Sequence, residues 1–301
     1  MQLDEIDLIS PQHVLVFGPP KSGKTRIIGE LANEYKLIWF DLENGKDTLR
    51  QLPDDAKRNI TYIGIRDTID TPRAHATIDK IIKGGTFKIC DIHGTVDCKH
   101  CTANNPTKFA TISIPTESTL DSMQTIIVID SASQLTMSVN ATVTIGRDDT
   151  YKEAFDDWAA QGKYLNRIFS YIQNAPFHIV MTAHEIEAER EDGSKRIVPS
   201  IGTKNYAVNS AKFFGHVIYM DKVNCKHRAW SATDYSNNVV TGSRLNVAVE
   251  DMDEPSLLPI FRGEIPAERT RKQQAAATLS ALPKSSGSSN GLAGLAGLKK
   301  P

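Results

Sequence analysis

A chain of 301 residues, 40% of them hydrophobic, is long enough to bury one large core with room for a small appended module. Its 35 basic and 36 acidic side chains nearly cancel, which excludes a global basic field as the means of holding nucleic acid or a membrane surface; such contacts would have to come from local loops. No window approaches the roughly 18 uninterrupted apolar residues of a membrane span, and the N-terminal MQLDEIDLIS is acidic rather than signal-like, so the expectation is a soluble, cytoplasmic chain that makes no membrane contact.

The first half alternates short β-rich runs with helical patterns, the arrangement of an α/β parallel sheet with crossover helices. Residues 13–17 (HVLVF) are a continuous apolar run that stops at Gly18, and a helical pattern covers 24–35. Where the two meet stands GPPKSGKT, formed by Gly18, Pro19, Pro20, Lys21, Ser22, Gly23, Lys24 and Thr25, with Arg26 following. The spacing GxxxxGK[ST] after a buried strand and before a helix marks a phosphate-binding loop. Its glycines let backbone N–H groups turn toward phosphates, and the helix N-terminus adds a partial positive charge. Lys24 should reach the β- and γ-phosphates and Thr25 should hold Mg²⁺, so the motif implies a nucleoside triphosphate, most simply ATP.

Residues 37–41 (LIWFD) and 60–65 are the next strand candidates. Three of the four cysteines, Cys90, Cys98 and Cys101, then crowd into twelve residues, a distribution that suits metal ligation in a reducing compartment better than a disulfide framework. They form Cys90-x-x-His93-Gly and Cys98-x-x-Cys101, and each half resembles a zinc knuckle, in which ligands two residues apart hold one ion and a glycine turns the chain back. Four soft or borderline ligands suit tetrahedral Zn²⁺, with His100 as an alternative to His93. The expected module spans 86–110, within a core of 1–283. Cys225 stands apart and reads as a small buried hydrophobe.

Residues 125–130 (TIIVID) are apolar without alternation, as in a strand buried on both faces. Asp130 closes this run, placed to organise the water shell of a nucleotide-bound Mg²⁺. Over 151–173 the residues Phe155, Trp158, Leu165, Ile168, Phe169 and Ile172 fall roughly on one helical face, and 177–182 (FHIVMT) is a further core strand. Shorter strands at 215–220, 228–231 and 245–249 read as an antiparallel extension. The tail 284–301 is Gly/Ser-rich and cannot bury enough apolar surface to offset its ordering entropy. It is expected to be disordered and to offer a docking peptide, for example to a single-strand-binding or replication protein.

Four segments, GPPKSGKT, WFDLENG (39–45), IIVIDSASQL (126–135) and HIVMTAHE (178–185), stand in the order and approximate spacing of the RecA-like recombinase core. The chain resembles that core over roughly residues 10–250, and within the superfamily it looks like the short-core phage ATPases, among them the Sak-type single-strand annealing proteins. The resemblance implies a RecA-like P-loop NTPase core with a mostly parallel sheet, here carrying the zinc-knuckle insertion. It places the catalytic glutamate, which polarises the attacking water, on Glu43, just past the end of the second strand, where α/β sheets hold ligands. Lys24, Glu43 and Asp130 would be joined by His184 as sensor of the γ-phosphate, at a position where RecA itself has glutamine.

The same resemblance implies that loops near 136–150 and 186–209 contact single-stranded DNA. The second carries Arg190, Lys195, Arg196 and Lys204 with Tyr206, a set suited to phosphates and a base, though Glu187, Glu189, Glu191 and Asp192 lie among them. Arg244, with Arg228 as competitor, would reach a neighbouring subunit's nucleotide in a ring or filament. The implied function is ATP hydrolysis in phage-type recombination, annealing or replication, in the host cytoplasm if phage-encoded. The alternative is a nucleotide-gated adaptor or loader for a replicative helicase; a small-molecule kinase fits less well because no basic lid segment is present.

Overall fold

The computed structural model describes residues 10–102, 108–119, 122–148, 150–190, 193–231, 238–244 and 255–263. Strand β1 (His13–Phe17) is buried from its second residue on, as an unbroken apolar run requires. The chain turns through the phosphate-loop motif into α1 (Lys24–Gly29), and the helix read over 24–35 tightens after Gly29 into a 3-10 turn at Glu30–Asn33. Strand β2 (Lys36–Asp41), the short helices α2 (Lys46–Leu49) and α3 (Asp54–Arg58), and β3 (Ile60–Gly64) follow. Helix α4 (Ala74–Ile81) leads to a separate antiparallel hairpin, β4 (Gly85–Cys90) with β5 (Phe109–Ile114), whose connection contains α5 (Lys99–Thr102).

Strand β6 (Thr125–Asp130) is buried at every residue. It is followed by α6 (Ala132–Val143), α7 (Phe155–Gln173) and the equally buried β7 (His178–Ala183). A second hairpin, β8 (Glu185–Glu189) with β9 (Lys195–Pro199), precedes α8 (Lys204–Ser210). Strands β10 (His216–Val223), β11 (Lys226–Trp230) and β12 (Gly242–Ser243) and the short α9 (Leu258–Phe261) complete the described elements.

The main sheet runs β11-β10-β1-β7-β6-β2-β3, with β12 beside β10. From β10 to β3 every pairing is parallel, and β11 and β12 join β10 antiparallel. One apolar layer, with Ile78, Leu135, Leu165 and Phe169, packs α4, α6 and α7 on one face. A second, with Ile27, Ile28, Leu49 and Phe261, packs α1, α2 and α9 on the other. Register aligns Asp41 with Asp130 and Phe17 with Ala183, so the carboxyl ends of β1, β2, β6 and β7 share one rim, where open α/β sheets bind ligands.

Several expectations change here. The buried stripe of α7 runs through Asp157, Gln161, Leu165, Ile168 and Ile172, which leaves Phe155 and Trp158 on its flank, 78% and 47% exposed. Most of the supposed loop at 136–150 is the end of α6, because Ser131 caps that helix by accepting from the Gln134 N–H (3.2 Å) and Leu135 and Val139 fill the core. The supposed loop at 186–209 is the β8–β9 hairpin followed by α8. Cys225 is exposed, since it occupies the β10–β11 turn with a positive φ of 66° beside Asn224 at 51°. Residues 245–249 and 284–301 lie outside the described residues. Among those described, no helix is long and apolar enough to cross a membrane.

Candidate functional site

The phosphate loop occupies the rim between β1 and α1, and two of its glycines are there of necessity. A Cβ on Gly18 would lie 1.9 Å from the Met220 carbonyl oxygen of β10, and one on Gly23 would lie 2.7 Å from Nδ1 of His227. His227, on β11, contacts the carbonyl oxygen of Ser22 through that nitrogen at 2.8 Å. Lys24 Nζ donates to the carbonyls of Gly18 (2.9 Å) and Pro19 (2.8 Å), so its ammonium lies folded across the loop. Burial pushes this lysine below the ordinary range, against the pull of the Asp130, Glu43 and Glu185 carboxylates. Lys21 and Arg26 are exposed, and Arg26 pairs with Glu30 at 3.3 Å.

Asp130 ends β6 at 5% exposure. Its Oδ2 accepts from Thr25 Oγ1 at 3.3 Å and its Oδ1 from Thr182 Oγ1 at the end of β7. Burial lifts the Asp130 carboxyl to about 6, helped by the nearby Asp41 and Glu43 charges and opposed by the Thr182 hydrogen bond and Lys24. A divalent cation here would relieve that cost. Thr25 and Asp130 offer the hard oxygen donors that Mg²⁺ prefers, so these residues fit the ion. The Asp130–Ser131 peptide is cis.

Glu43 Oε1 accepts from Ser131 Oγ and lies 3.2 Å from His184 Nε2. Burial raises its carboxyl, but the His184 and Ser131 hydrogen bonds, with the charges of His184 and Lys24, outweigh it and hold the group below the usual glutamate range. His184 is tied in turn to the next hairpin. Its N–H donates to Ser133 Oγ (2.9 Å), Ser133 Oγ donates to the Ser200 carbonyl (2.9 Å), and the Ser200 N–H donates to the His184 carbonyl (2.8 Å).

Lys24, Thr25, Glu43, Asp130 and His184 are therefore brought together, along with Asp41, Tyr62, Ser131, Thr182 and His227, which sequence reasoning did not single out. Asp41 had a readable signal, because it closes the apolar run LIWFD as Asp130 closes TIIVID. His227 had none, since its place depends on an antiparallel edge strand. Arg244 is not among them: its N–H donates to the Gly215 carbonyl, and Gly215 in turn bonds to His13 at the opposite end of β1. Arg228 stacks on Trp230 at 4.7 Å on β11.

The cysteine-rich hairpin gathers Cys90, His93, Cys98 and Cys101, whose ligand atoms all lie within 4.8 Å of one another. His93 Nδ1 is 3.8, 3.5 and 3.3 Å from the sulfurs of Cys90, Cys98 and Cys101. Zn–S bonds of about 2.3 Å and a Zn–N bond of about 2.0–2.1 Å give tetrahedral edges of about 3.6 Å, so this set fits a closed, structural zinc site. The His100 side chain lies outside the described residues. The loop abuts the main sheet: Arg66 N–H donates to the His93 carbonyl at 3.0 Å, and Gly94, with φ 65°, sits where a Cβ would be 2.2 Å from the Gly64 carbonyl oxygen.

Of the basic set, Arg190 and Arg196 line a cleft of about 590 Å³ between the β8–β9 hairpin and α8, with Asn205, Asn209 and Glu189. Lys195 is paired with Glu187 at 2.7 Å, and Lys204 is exposed at the start of α8. Tyr206 is turned inward, its hydroxyl donating to Asn166 Oδ1 at 3.1 Å and its ring near Phe169. Glu191 and Asp192 lie outside the described residues.

With this geometry established, the chain matches the family model described as AAA domain over residues 10–245. It belongs to that family and is a P-loop ATPase of the AAA type. No curated protein matches it.

Proposed function

We propose that the protein hydrolyses Mg-ATP to act on single-stranded DNA in recombination, annealing or replication of the phage type, working as a ring or filament of identical subunits. In this reading Glu43 takes the proton of the water that attacks the γ-phosphate, Lys24 neutralises phosphate charge, and Thr25 with Asp130 holds the cation and its water. The cation supplies charge neutralisation across the β- and γ-phosphates. Zn²⁺ occupies the Cys₃His cluster as a structural ion.

The observation that carries the DNA reading is the path from Glu43 through His184 and Ser133 to the base of the β8–β9 hairpin, whose far side forms the arginine-lined cleft. A residue that touches the catalytic carboxylate and also anchors that hairpin can make the two sites share one equilibrium. The backbone of Arg244 lies at the end of β1 opposite the phosphate loop, and in this reading the residue serves the nucleotide of a neighbouring subunit. The tail, 284–301, is the proposed docking peptide for a replication or single-strand-binding protein.

The decisive measurement is ATP turnover with and without single-stranded DNA, which on this reading rises severalfold. The mixed charge of the cleft, where Glu189 lies beside the arginines and Lys195 is engaged by Glu187, favours the second reading: an adaptor that loads another DNA machine. Turnover indifferent to DNA, from a protein that still binds ATP, would transfer the case to that adaptor.

A further inference from the structure

Asp41 is 1% exposed and lies opposite Asp130 in the β2–β6 register. Both of its oxygens are committed. Oδ1 accepts the backbone N–H of Glu43 at 2.8 Å, and Oδ2 accepts the hydroxyl of Tyr62, on β3, at 2.6 Å. That second oxygen also faces the cation donors. The point where a Gly45 Cβ would stand is 3.7 Å from Asp130 Oδ2, 3.9 Å from Asp41 Oδ2 and 3.9 Å from Thr25 Oγ1, so three oxygens surround one small space left open by a glycine.

Burying a second carboxylate beside Asp130 is strongly unfavourable unless something positive or hydrogen-bonding compensates it. Two hydrogen bonds answer part of that cost, and they hold the side chain in one orientation. The Glu43 bond has a direct consequence. It fixes the backbone of the residue that must present its carboxylate to water, two positions beyond the strand end, where no sheet pairing would otherwise hold it.

We infer that Asp41, oriented by Tyr62, is a positioning residue of the ATPase site: it pins Glu43 and supplies a second carboxylate to the outer sphere of the nucleotide-bound cation. This rests on the Mg-ATP reading above. The two roles separate by substitution. In Asp41→Asn the amide oxygen keeps accepting from the Glu43 N–H while the NH₂ donates to the Tyr62 oxygen, so the pin remains and the charge goes. In Asp41→Ala both go. Tyr62→Phe removes the orienting hydroxyl and leaves the carboxylate.

The test uses the full chain and a fluorescent ADP analogue, with affinity followed as Mg²⁺ is titrated, alongside steady-state turnover. Outer-shell partners of a bound metal are worth about 10–100-fold in affinity or activity. Asp41→Asn is expected to raise the Mg²⁺ concentration for half-maximal nucleotide binding about tenfold and to recover most of its kcat at saturating Mg²⁺. Asp41→Ala is expected to lose kcat about 10–100-fold even at saturating Mg²⁺, with KM for ATP nearly unchanged. Tyr62→Phe should move both readouts the same way by less. A purely structural Asp41 would lower the unfolding midpoint without moving the Mg²⁺ titration. Wild-type Mg²⁺ dependence in Asp41→Asn overturns the inference, as does wild-type kcat in Asp41→Ala; should the alanine variant not fold, the asparagine and phenylalanine variants decide it. If the wild-type chain itself binds no nucleotide, the parent reading fails instead, so the two failures are distinguishable.

Discussion

At the residue scale the ATPase centre is a set of charges each held by a neighbour from another strand. Lys24 satisfies its ammonium on two loop carbonyls, contacts that a triphosphate would replace with stronger, charge-assisted ones. Lys24→Ala should therefore abolish triphosphate binding or turnover while the unfolding midpoint stays close to wild type; turnover at the wild-type rate would refute the nucleotide assignment. Glu43→Gln keeps shape and loses the acceptor charge, so ATP should still bind while kcat falls about 10²–10⁴-fold, the usual worth of general-base help. Equilibrium binding together with single-turnover kinetics separates the two effects. Gly18, Lys24, Thr25 and Asp130 are legible in the sequence because each stands at a fixed distance from an apolar run that ends at the rim. Thr182, Ser131 and Tyr62 are not, since a hydroxyl at a strand end acquires its role only from the strand placed beside it.

At the element scale the parallel sheet is readable in the unbroken runs HVLVF, LIWFD, TIIVID and HIVMTA, because strands buried on both faces leave no polar alternation. Their order is not, since crossovers that skip neighbours leave no mark in the sequence. The β8–β9 hairpin reads as a loop because charge dominates EIEAE, although Ile186 and Ala188 alternate with the glutamates and pack inward. This element carries a prediction. If Arg190, Lys195, Arg196 and Lys204 contact phosphates, changing all four to Ala should flatten the salt dependence of single-strand binding by up to about 0.7 per lost contact, and affinity should drop for every sequence alike. An unchanged slope in the folded variant would move DNA contact elsewhere on the molecule. The cysteine hairpin makes another: metal analysis should find one zinc per chain, absent when Cys98 and Cys101 are both Ser, and chelation should open residues 86–110 to hydrogen exchange before the sheet. Zinc-free protein with full protection in that hairpin would exclude the ion from its fold.

At the scale of the whole molecule, the end of the sheet opposite the phosphate loop holds buried histidines that make stability sensitive to acid. His178 and His216, each 1% exposed, are tied to one residue: His178 Nδ1 accepts the Gln12 N–H at 2.8 Å, and His216 Nε2 meets Gln12 Oε1 at 2.8 Å while its Nδ1 meets Ser243 Oγ at 2.8 Å. Burial pushes both rings down to about 4, with His13 repelling charge on each and Arg244 adding to the effect on His216. Burial lowers His13 as well. Because the folded values lie below the unfolded value of about 6.5, the unfolded chain binds more protons between pH 6.5 and 4. Stability is thus fully present above about pH 6.5 and is lost as pH falls through that window. Each ring contributes on the order of 3 kcal/mol at most, because a tenfold change in proton affinity corresponds to about 1.4 kcal/mol. Asp130 acts in the opposite sense: its raised carboxyl gives stability that is lost as pH rises from its unfolded value toward 6, and so it offsets part of the histidine effect. Denaturant midpoints should accordingly fall between pH 7.5 and 5, and His216→Gln, which keeps a partner for Gln12 but cannot titrate, should show a shallower pH slope than the wild type. A wild-type midpoint independent of pH across that range, or a His216→Gln slope equal to the wild type's, would mean that these buried rings do not govern the acid response.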